Sequence, residues 1–322
     1  MSFKQFFAAC FCVVAAISSG GTVAQSYPAK PVRIVSPYPP SGGVDVLARL
    51  IGNALSESLG QQFIVENRTG ASGRIGTEIA AKSAPDGYTL LMATSGPNTI
   101  LPALYNDLPY DAVKGFAPIS LVASADYMLV VHPSLPVKSV KDLIALAKAK
   151  PNEIRYASTG TFGAPHMAIE LIKDMAGIEM IHVPYRGGTP ALTSVLTGDT
   201  SVMFVSGLTG MAQVEAGRVR ALGTSGAKQS VHYPNLPPVA KAVPGFDVSQ
   251  WYGFMAPAGT PVKIVALLNA EIVKALTQSK IREQITRQRA DVVTSTPEEF
   301  AALVRADIEK WKRVVKAAGL KP

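Results

Sequence analysis

The sequence has few of the residues on which metal and thiol chemistry depend. Its 322 residues include two cysteines, Cys10 and Cys12, and four histidines that lie far apart. It contains no C-x-x-C pair, no H-x-x-x-H pair and no Walker lysine after a glycine loop. Such patterns are typical of metal and nucleotide sites, so their absence leads us to predict no metal ion and no cofactor.

Charged and aromatic residues are also scarce. Charged residues make up 17% of the chain and aromatic residues 7%, whereas 48% of the residues are apolar. This composition excludes a disordered chain and predicts a folded protein long enough for two domains. The net charge is +8, and many basic residues lie between Lys280 and Lys321 in a segment of helical period. We interpret them as a solvated helix face, predict no nucleic-acid partner, and expect the positive charge to favour anionic ligands.

Residues 1–24 have the pattern of a secretory signal. Lys4 precedes an uncharged run at 6–17 that is too short to span a bilayer. Thr22 and Ala24 supply small side chains before a predicted cleavage after residue 24. Cleavage would remove both cysteines, which excludes disulfides and thiolate chemistry. We therefore predict an exported mature protein that does not span the membrane.

Apolar runs of strand length alternate with segments of helical period along the remaining chain. This alternation is typical of βαβ units and predicts an α/β fold. One series ends by residue 100, a second runs to residue 224, and a proline-rich stretch at 228–250 returns toward the first. We therefore predict two lobes with a ligand cleft between them, each a mostly parallel sheet flanked by helices. Their predicted boundaries are residues 25–126 with 248–322 for lobe 1, and residues 127–247 for lobe 2. The chain is predicted to cross between the lobes near residues 124–127 and 247–250.

Three glycine-containing loops each join a predicted strand to a predicted helix, at residues 36–45, 159–164 and 183–190. Open parallel sheets bind ligands at the carboxyl ends of their strands. Helix N-termini present free N–H groups and a positive dipole end, so these loops are predicted to hold a carboxylate through backbone amides. The alternative for the first loop is a tight turn in which Asp45 complements the helix dipole.

Side chains in the second and third loops have two interpretations each. His166 lies in the first predicted turn of a helix, where the dipole disfavours a positive charge, so we expect a neutral imidazole. It either touches ligand or makes a local structural contact. Tyr185 covers a ligand or packs, and Arg186 pairs with a second carboxylate or faces water. Thr189 is the predicted cap of the following helix.

Several stretches of this sequence, taken in order, are similar to the Bug family of periplasmic receptors for tripartite tricarboxylate transporters. The most specific are Pro-Asp-Gly-Tyr-Thr-Leu at 85–90 and Trp-Tyr-Gly-Phe-Met-Ala-Pro-Ala-Gly-Thr-Pro at 251–261. The others are Tyr-Pro-Ala-Lys-Pro-Val-Arg at 27–33, Pro-Tyr-Pro-Pro-Ser-Gly-Gly-Val-Asp at 37–45, Glu-Asn-Arg at 66–68 and Val-Pro-Tyr-Arg-Gly at 183–187. The similarity covers the chain from about residue 27 to the end. It implies a hinged, two-lobed periplasmic-binding-protein fold of type II, the Venus-flytrap fold.

The resemblance also implies a ligand and the residues that bind it. In this family a small organic carboxylate is held by backbone amides and ordered water, and variable residues read its distal part. The family often has Asp at the position of Val205 or Ser206, and its absence here argues against an amino-acid ligand. The predicted ligand-binding residues are Tyr38, Ser41, Gly42, Gly43, Val44, Asp45, Ser95, Gly96, Ser158, Thr159, Gly160, Thr161, Phe162, Gly163, His166, Tyr185, Arg186, Gly187, Val205 and Ser206.

The same resemblance implies a periplasmic, non-catalytic receptor that transiently meets the membrane subunits of a transporter, and we expect a monomer. Two alternatives stay open at the level of sequence. One is a ligand-dependent sensory receptor that docks on a signalling membrane protein. The other is a hydrolase or transferase that uses Ser158 and His166, which lie eight residues apart across a loop.

Overall fold

The computed structural model describes residues 27–317 and residue 320, so the predicted signal segment lies outside the described residues. The chain begins with β1 (Val32–Ser36), α1 (Gly43–Leu59), β2 (Phe63–Asn67), α2 (Arg74–Ala81), β3 (Thr89–Thr94) and α3 (Leu101–Leu104). It continues with β4 (Phe116–Val131), α4 (Val140–Ala149), β5 (Arg155–Ser158), α5 (Ala164–Ala176), β6 (Ile181–Pro184), α6 (Gly188–Thr197), β7 (Val202–Ser206), α7 (Gly207–Glu215) and β8 (Arg220–Thr224). It ends with β9 (Ser249–Pro257), α8 (Val262–Thr277), α9 (Ser279–Arg287), β10 (Asp291–Val292) and α10 (Pro297–Ala317).

The strands form one curled sheet in the order β2-β1-β3-β9-β4-β7-β5-β6, with β8 and β10 also paired to β4. At one end β1 is parallel to β2 and β3, and at the other end β5 is parallel to β6 and β7. Both β1 and β3 are almost fully buried because helices cover both faces, as in other parallel sheets. The predicted α/β fold is therefore confirmed. The sheet is mixed, because β4 and β9 lie antiparallel to every strand with which they pair.

Strand β4 connects the two halves of the sheet. Its first part, from Phe116 to Asp126, pairs with β9, whereas Tyr127 to Val131 pairs with β7 and β8. The chain returns beside it, because Ser249 of β9 pairs with Asp126. The sequence predicted only the last residues of β4 as a strand. Its earlier part lacks a continuous apolar run, contains Pro118, and has irregular register there.

Buried apolar clusters lie on both faces of each half. Helices α1 and α8 cover one face of the first half, while α2 and α10 cover the other. In the second half, α4 and α5 lie over one face and α6 over the other. The clusters are not fully separate, since Leu101 and Trp311 pack in the same cluster as Phe162 and Met167. The helical segment after β3 and the end of α10 therefore also support the second half.

Helix α10 begins as the sequence predicts. The Thr296 hydroxyl accepts from the Glu299 N–H at 3.1 Å, and the Glu299 carboxylate accepts from the Thr296 N–H at 2.9 Å. This reciprocal pair is a capping box. Within the described part of the chain, no helix combines the length and apolar character that crossing a bilayer requires.

Candidate functional site

Two adjoining cavities lie between the halves of the molecule. The first, which we call the inner cavity, has a volume of about 60 Å³. None of the described residues that line it carries a charge. Its lining residues are Tyr38, Pro39, Gly42, Gly43, Val44, Tyr127, Thr159, Ala164, Pro165, Gly188, Thr189, Met203, Phe204, Val205, Ser206, Thr209, Gln250 and Tyr252.

Four helices, α1, α5, α6 and α7, begin at the inner cavity. Their N-cap residues are Gly42, Gly163, Gly187 and Ser206, and none of these makes a side-chain cap hydrogen bond. The first N–H groups of a helix have no partner within the helix, and its N-terminus carries a partial positive charge. The cavity therefore offers amide donors and a positive potential to an anion without any cationic side chain.

The first loop is closed by its own carboxylate. Asp45 is 3% exposed and accepts hydrogen bonds from the Ser41 N–H at 3.0 Å, Arg49 Nε at 2.9 Å and Asn67 Nδ2 at 2.8 Å. Burial opposes ionisation, but the hydrogen bonds from Arg49, Asn67 and Ser41 hold the pKa of Asp45 below its ordinary value. Asp45 and Ser41 therefore build the turn, which presents Gly42 and Gly43 to the cavity.

The second loop is held by buried polar side chains behind it. His166 Nδ1 accepts the Phe162 N–H at 2.9 Å, and Ser158 Oγ donates to the Gly160 carbonyl at 3.0 Å. Burial, then the neighbouring His182 and Lys173, lower the pKa of His166 to about 3. The imidazole is therefore neutral, as the sequence predicts, and it makes the local structural contact.

The serine and histidine of the enzyme alternative do not form a pair. Ser158 Oγ lies 2.6 Å from His182 Nε2, and Ser158 is fully buried. His166 stacks on the His182 ring with a centroid distance of 3.9 Å. Ser158 and His166 are buried, and neither is among the residues that line the two cavities between the halves.

Polar side chains from the crossing strands form the floor of the inner cavity. Gln250 Oε1 accepts a hydrogen bond from Ser95 Oγ at 3.0 Å and another from the Tyr127 hydroxyl. Tyr38 donates through its hydroxyl to the Ser72 carbonyl at 3.0 Å. Burial raises the pKa of Tyr38 to about 12, so this hydroxyl keeps its proton at neutral pH.

The second cavity, which we call the outer cavity, has a volume of about 350 Å³ and shares Tyr38, Pro39 and Thr159 with the inner cavity. Two of its lining residues, Arg74 and Arg186, are cationic, and no acidic residue of the described chain lines it. Its other lining residues are Pro37, Thr69, Gly70, Ala71, Ser72, Gly73, Leu101, Tyr105, Gly160, Thr161, Pro184 and Tyr185.

The two halves touch each other around these cavities. Ser72 Oγ donates to the Thr161 carbonyl at 2.5 Å. A Cβ atom added to Gly160 would lie 2.5 Å from Ser72 Oγ, and one added to Gly187 would lie 2.6 Å from the Pro39 ring. Both glycines have positive φ angles, of 132° and 122°. They therefore serve the close approach of the halves as well as the shape of their loops.

Eleven of the predicted ligand-binding residues line a cavity. Those at the inner cavity are Tyr38, Gly42, Gly43, Val44, Thr159, Val205 and Ser206, and those that line only the outer cavity are Gly160, Thr161, Tyr185 and Arg186. The others support the loops or floor from behind and line neither cavity: Ser41, Asp45, Ser95, Gly96, Ser158, Phe162, Gly163, His166 and Gly187. The predicted cap Thr189 is wrong, because α6 begins at Gly188, and its N-cap is Gly187, two residues before Thr189.

The sequence did not predict three floor residues, Tyr127, Gln250 and Tyr252. They lie where the chain crosses between the halves, and the crossings themselves were predicted near residues 124–127 and 247–250. Side chains at such crossings line the bottom of the cleft. The predicted crossings could therefore have been used to predict these three residues as part of the site. In the part of the chain that the structure describes, no three His, Cys, Asp or Glu side chains come together as a metal ion would require.

Comparison with known proteins gives relatives along almost the whole chain. BugT of Bordetella pertussis is 36% identical over 300 residues, which is 92% of each protein. The structure titled R. palustris Rpa4515 with adipate superposes with a TM-score of 0.89 at 34% identity, covering 92% of this chain and 99% of that one. MatC from Rhodopseudomonas palustris with bound malate gives a TM-score of 0.85 at 29% identity, covering 90% and 100%.

These structural neighbours have the fold that the sequence predicts. A family model matches residues 47–320, which is most of the chain. Its description is "Tripartite tricarboxylate transporter family receptor". This protein therefore belongs to the tripartite tricarboxylate transporter receptor family.

Proposed function

We propose that this protein is a periplasmic receptor that captures a small organic carboxylate in the inner cavity and delivers it to a tripartite tricarboxylate-type membrane transporter. The observation that carries the proposal is the convergence of four helix N-termini without side-chain caps on a cavity that no charged side chain lines. The adipate and malate in the titles of two similar structures support the ligand class.

In this proposal one carboxylate of the ligand lies against residues 42–44 of the first half and against Thr159 and the start of α5 in the second. Backbone N–H groups and ordered water donate to it. The adjoining part of the ligand is surrounded by Val205, Ser206 and the floor residues Tyr127, Gln250 and Tyr252. Asp45, Ser158 and His166 act from behind by holding the two loops in place.

We further propose that residues 25–126 with 248–322, and residues 127–247, are lobes that hinge where β4 and β9 cross. The change of strand partners between Asp126 and Tyr127 supports these boundaries. In this proposal, contacts such as Ser72 to Thr161, which join the two lobes here, would break when the lobes open. A ligand that touches both lobes therefore shifts the equilibrium toward the closed state.

The proposal includes export by residues 1–24, a monomeric mature protein, and no chemical step on the ligand. The relatives are solute receptors, and the buried position of Ser158 argues against its use as a nucleophile. Release of the ligand to the transporter subunits requires the cleft to open, which a two-crossing hinge allows.

Isothermal titration of the protein without residues 1–24 tests this function. The panel contains adipate, malate and other linear and aromatic acids, with the matching uncharged amides as controls. We expect at least one acid to bind and its amide to bind far more weakly, because the amide N–H groups of the cavity favour an anion. Absence of binding across the acids, or equal binding of acid and amide, would contradict the proposal.

A further inference from the structure

The outer cavity differs from the inner one in its charge. Arg74 is the first residue of α2 and half-buried, while Arg186 lies between β6 and α6 and is exposed. Both line the outer cavity, and the two side chains come from opposite halves of the molecule. No acidic side chain of the described residues lines the cavity to neutralise them.

Arg74 lacks the partner that its position on the helix offers. Glu78 lies four residues further along α2, the usual spacing for an ion pair, but its carboxylate pairs with Lys82 at 2.7 Å. The Arg74 guanidinium instead lies over the Tyr105 ring, 6.0 Å from its centroid. Among the described residues, neither Arg74 nor Arg186 forms an ion pair.

Arg68, six residues before Arg74, shows that arginines in this part of the chain can form ion pairs. Arg68 pairs with Glu66, which also pairs with Arg33 at 3.2 Å. Those arginines form ion pairs with an acidic neighbour, whereas the two that line the outer cavity form none among the described residues. Closure of the cleft therefore brings two positive charges from opposite halves to one cavity, and an anion between them would relieve the repulsion.

The cavities adjoin through Tyr38, Pro39 and Thr159, so one linear molecule reaches both. We infer that the ligand is a dicarboxylate whose first carboxylate is held by amides in the inner cavity, while Arg74 and Arg186 bind its second carboxylate in the outer cavity. This inference rests on the proposed function and adds to it the residues that select diacids over monoacids. Guanidinium groups suit this role because they match a carboxylate in shape and charge.

The test compares linear diacids, from succinate to suberate, with monoacids of the same carbon number by isothermal titration. The variants are Arg74→Gln, Arg186→Gln, the double variant, and the matched control Arg313→Gln, which removes the same charge from the exposed side of α10. We expect the wild-type protein to prefer a diacid, and each cleft variant to lower that preference roughly tenfold or more. Monoacid affinity should stay within about twofold in every variant, because the inner cavity is unchanged.

Arg186→Lys and Arg74→Lys keep the positive charge but lose the planar guanidinium that binds a carboxylate through two N–H groups. They should therefore retain part of the preference for diacids over monoacids. If a glutamine variant has a lowered thermal unfolding midpoint, the lysine variants test the inference in its place. A diacid preference that survives in the folded double variant, or a wild-type protein that binds monoacids as tightly as diacids, would overturn this inference alone. A wild-type protein that binds no acid would overturn the proposed function as well.

Discussion

The four helices that begin at the inner cavity differ from α4 and α10 in how their first N–H groups are satisfied, although α2, α3, α8 and α9 also begin without a side-chain cap. Away from the cavity, Ser139 caps α4 by accepting the Asp142 N–H, and Thr296 caps α10. At the cavity, three of the four N-cap residues are glycine, and Ser206 directs its hydroxyl to Thr209. The donors that α4 and α10 satisfy with side chains are thus left for a ligand at the cavity.

This difference shows where the fold gives up stability for binding. A glycine N-cap costs only a few tenths of a kcal/mol relative to Ser, Thr, Asn or Asp, so the three glycine caps that converge on this cavity lower the stability by roughly 1 kcal/mol together. Such a loss is expected at functional sites, where stabilising groups would compete with the ligand. The comparison therefore predicts opposite effects for changes at the two kinds of helix start.

The largest effect is expected for Gly42→Asp. Gly42 has extended backbone angles, and a Cβ atom there would approach the Pro39 carbonyl at 3.4 Å, so a side chain fits. The new carboxylate would cap α1, occupy its amide donors and repel the ligand. Titration calorimetry should show an affinity loss of about a hundredfold or more for any bound acid, with the unfolding midpoint unchanged or raised.

The control for this change is Gly42→Ala, which adds the same Cβ atom and no acceptor. Its affinity should stay within about threefold of the wild-type value, because no group competes for the amides. Equal affinities for the aspartate and alanine variants would contradict the amide anchor.

A smaller effect is expected from acidification, because the loop before α5 is held by an imidazole instead of a cap. The folded pKa of His166 is lowered from 6.5 to about 3, so the unfolded chain binds the proton first as the pH falls. The stability from the neutral imidazole is present above about pH 6.5 and is lost as the pH falls toward 3. His182, whose pKa is lowered to about 4 by burial, acts in the same direction.

Denaturant unfolding at neutral pH and near pH 5 measures this effect. His166 should account for about 2 kcal/mol of the difference in unfolding free energy between the two conditions. In His166→Gln the amide oxygen can still accept the Phe162 N–H, and the pH dependence should become smaller. His132→Gln, outside this buried cluster, is the control and should keep the full dependence. A His166→Gln variant with the wild-type dependence would exclude His166 as its source.

The smallest effect is expected at a capped helix. Thr296→Ala removes the hydroxyl that accepts the Glu299 N–H and should lower the unfolding free energy by about 1 kcal/mol. Ligand affinity should not change, since α10 begins away from both cavities. A loss of affinity in this variant, measured by the same titration, would show that the two kinds of helix start are coupled.

Local sequence patterns predicted most of the fold. The sequence predicts strands at residues 32–36 and 155–158, and these are the bounds of β1 and β5. The first part of β4 and the turn and short helix at 96–104 were missed, since proline and small residues hide their pattern there. The same local reasoning predicted the glycine loops, because a strand, a glycine turn and a helix follow one another directly along the chain.

The sequence by itself determined the α/β alternation and the loops whose amides can hold an anion, since backbone preferences act over a few residues. Tertiary structure alone decided which polar groups from distant parts of the chain meet each other. Tyr127 and Gln250 meet across 123 residues, Ser72 and Thr161 meet across 89, and Arg74 and Arg186 come from opposite halves to line one cavity. The reason is that charges and hydrogen-bonding groups pair according to their distance in space, and the separation of two residues in the sequence does not reveal that distance.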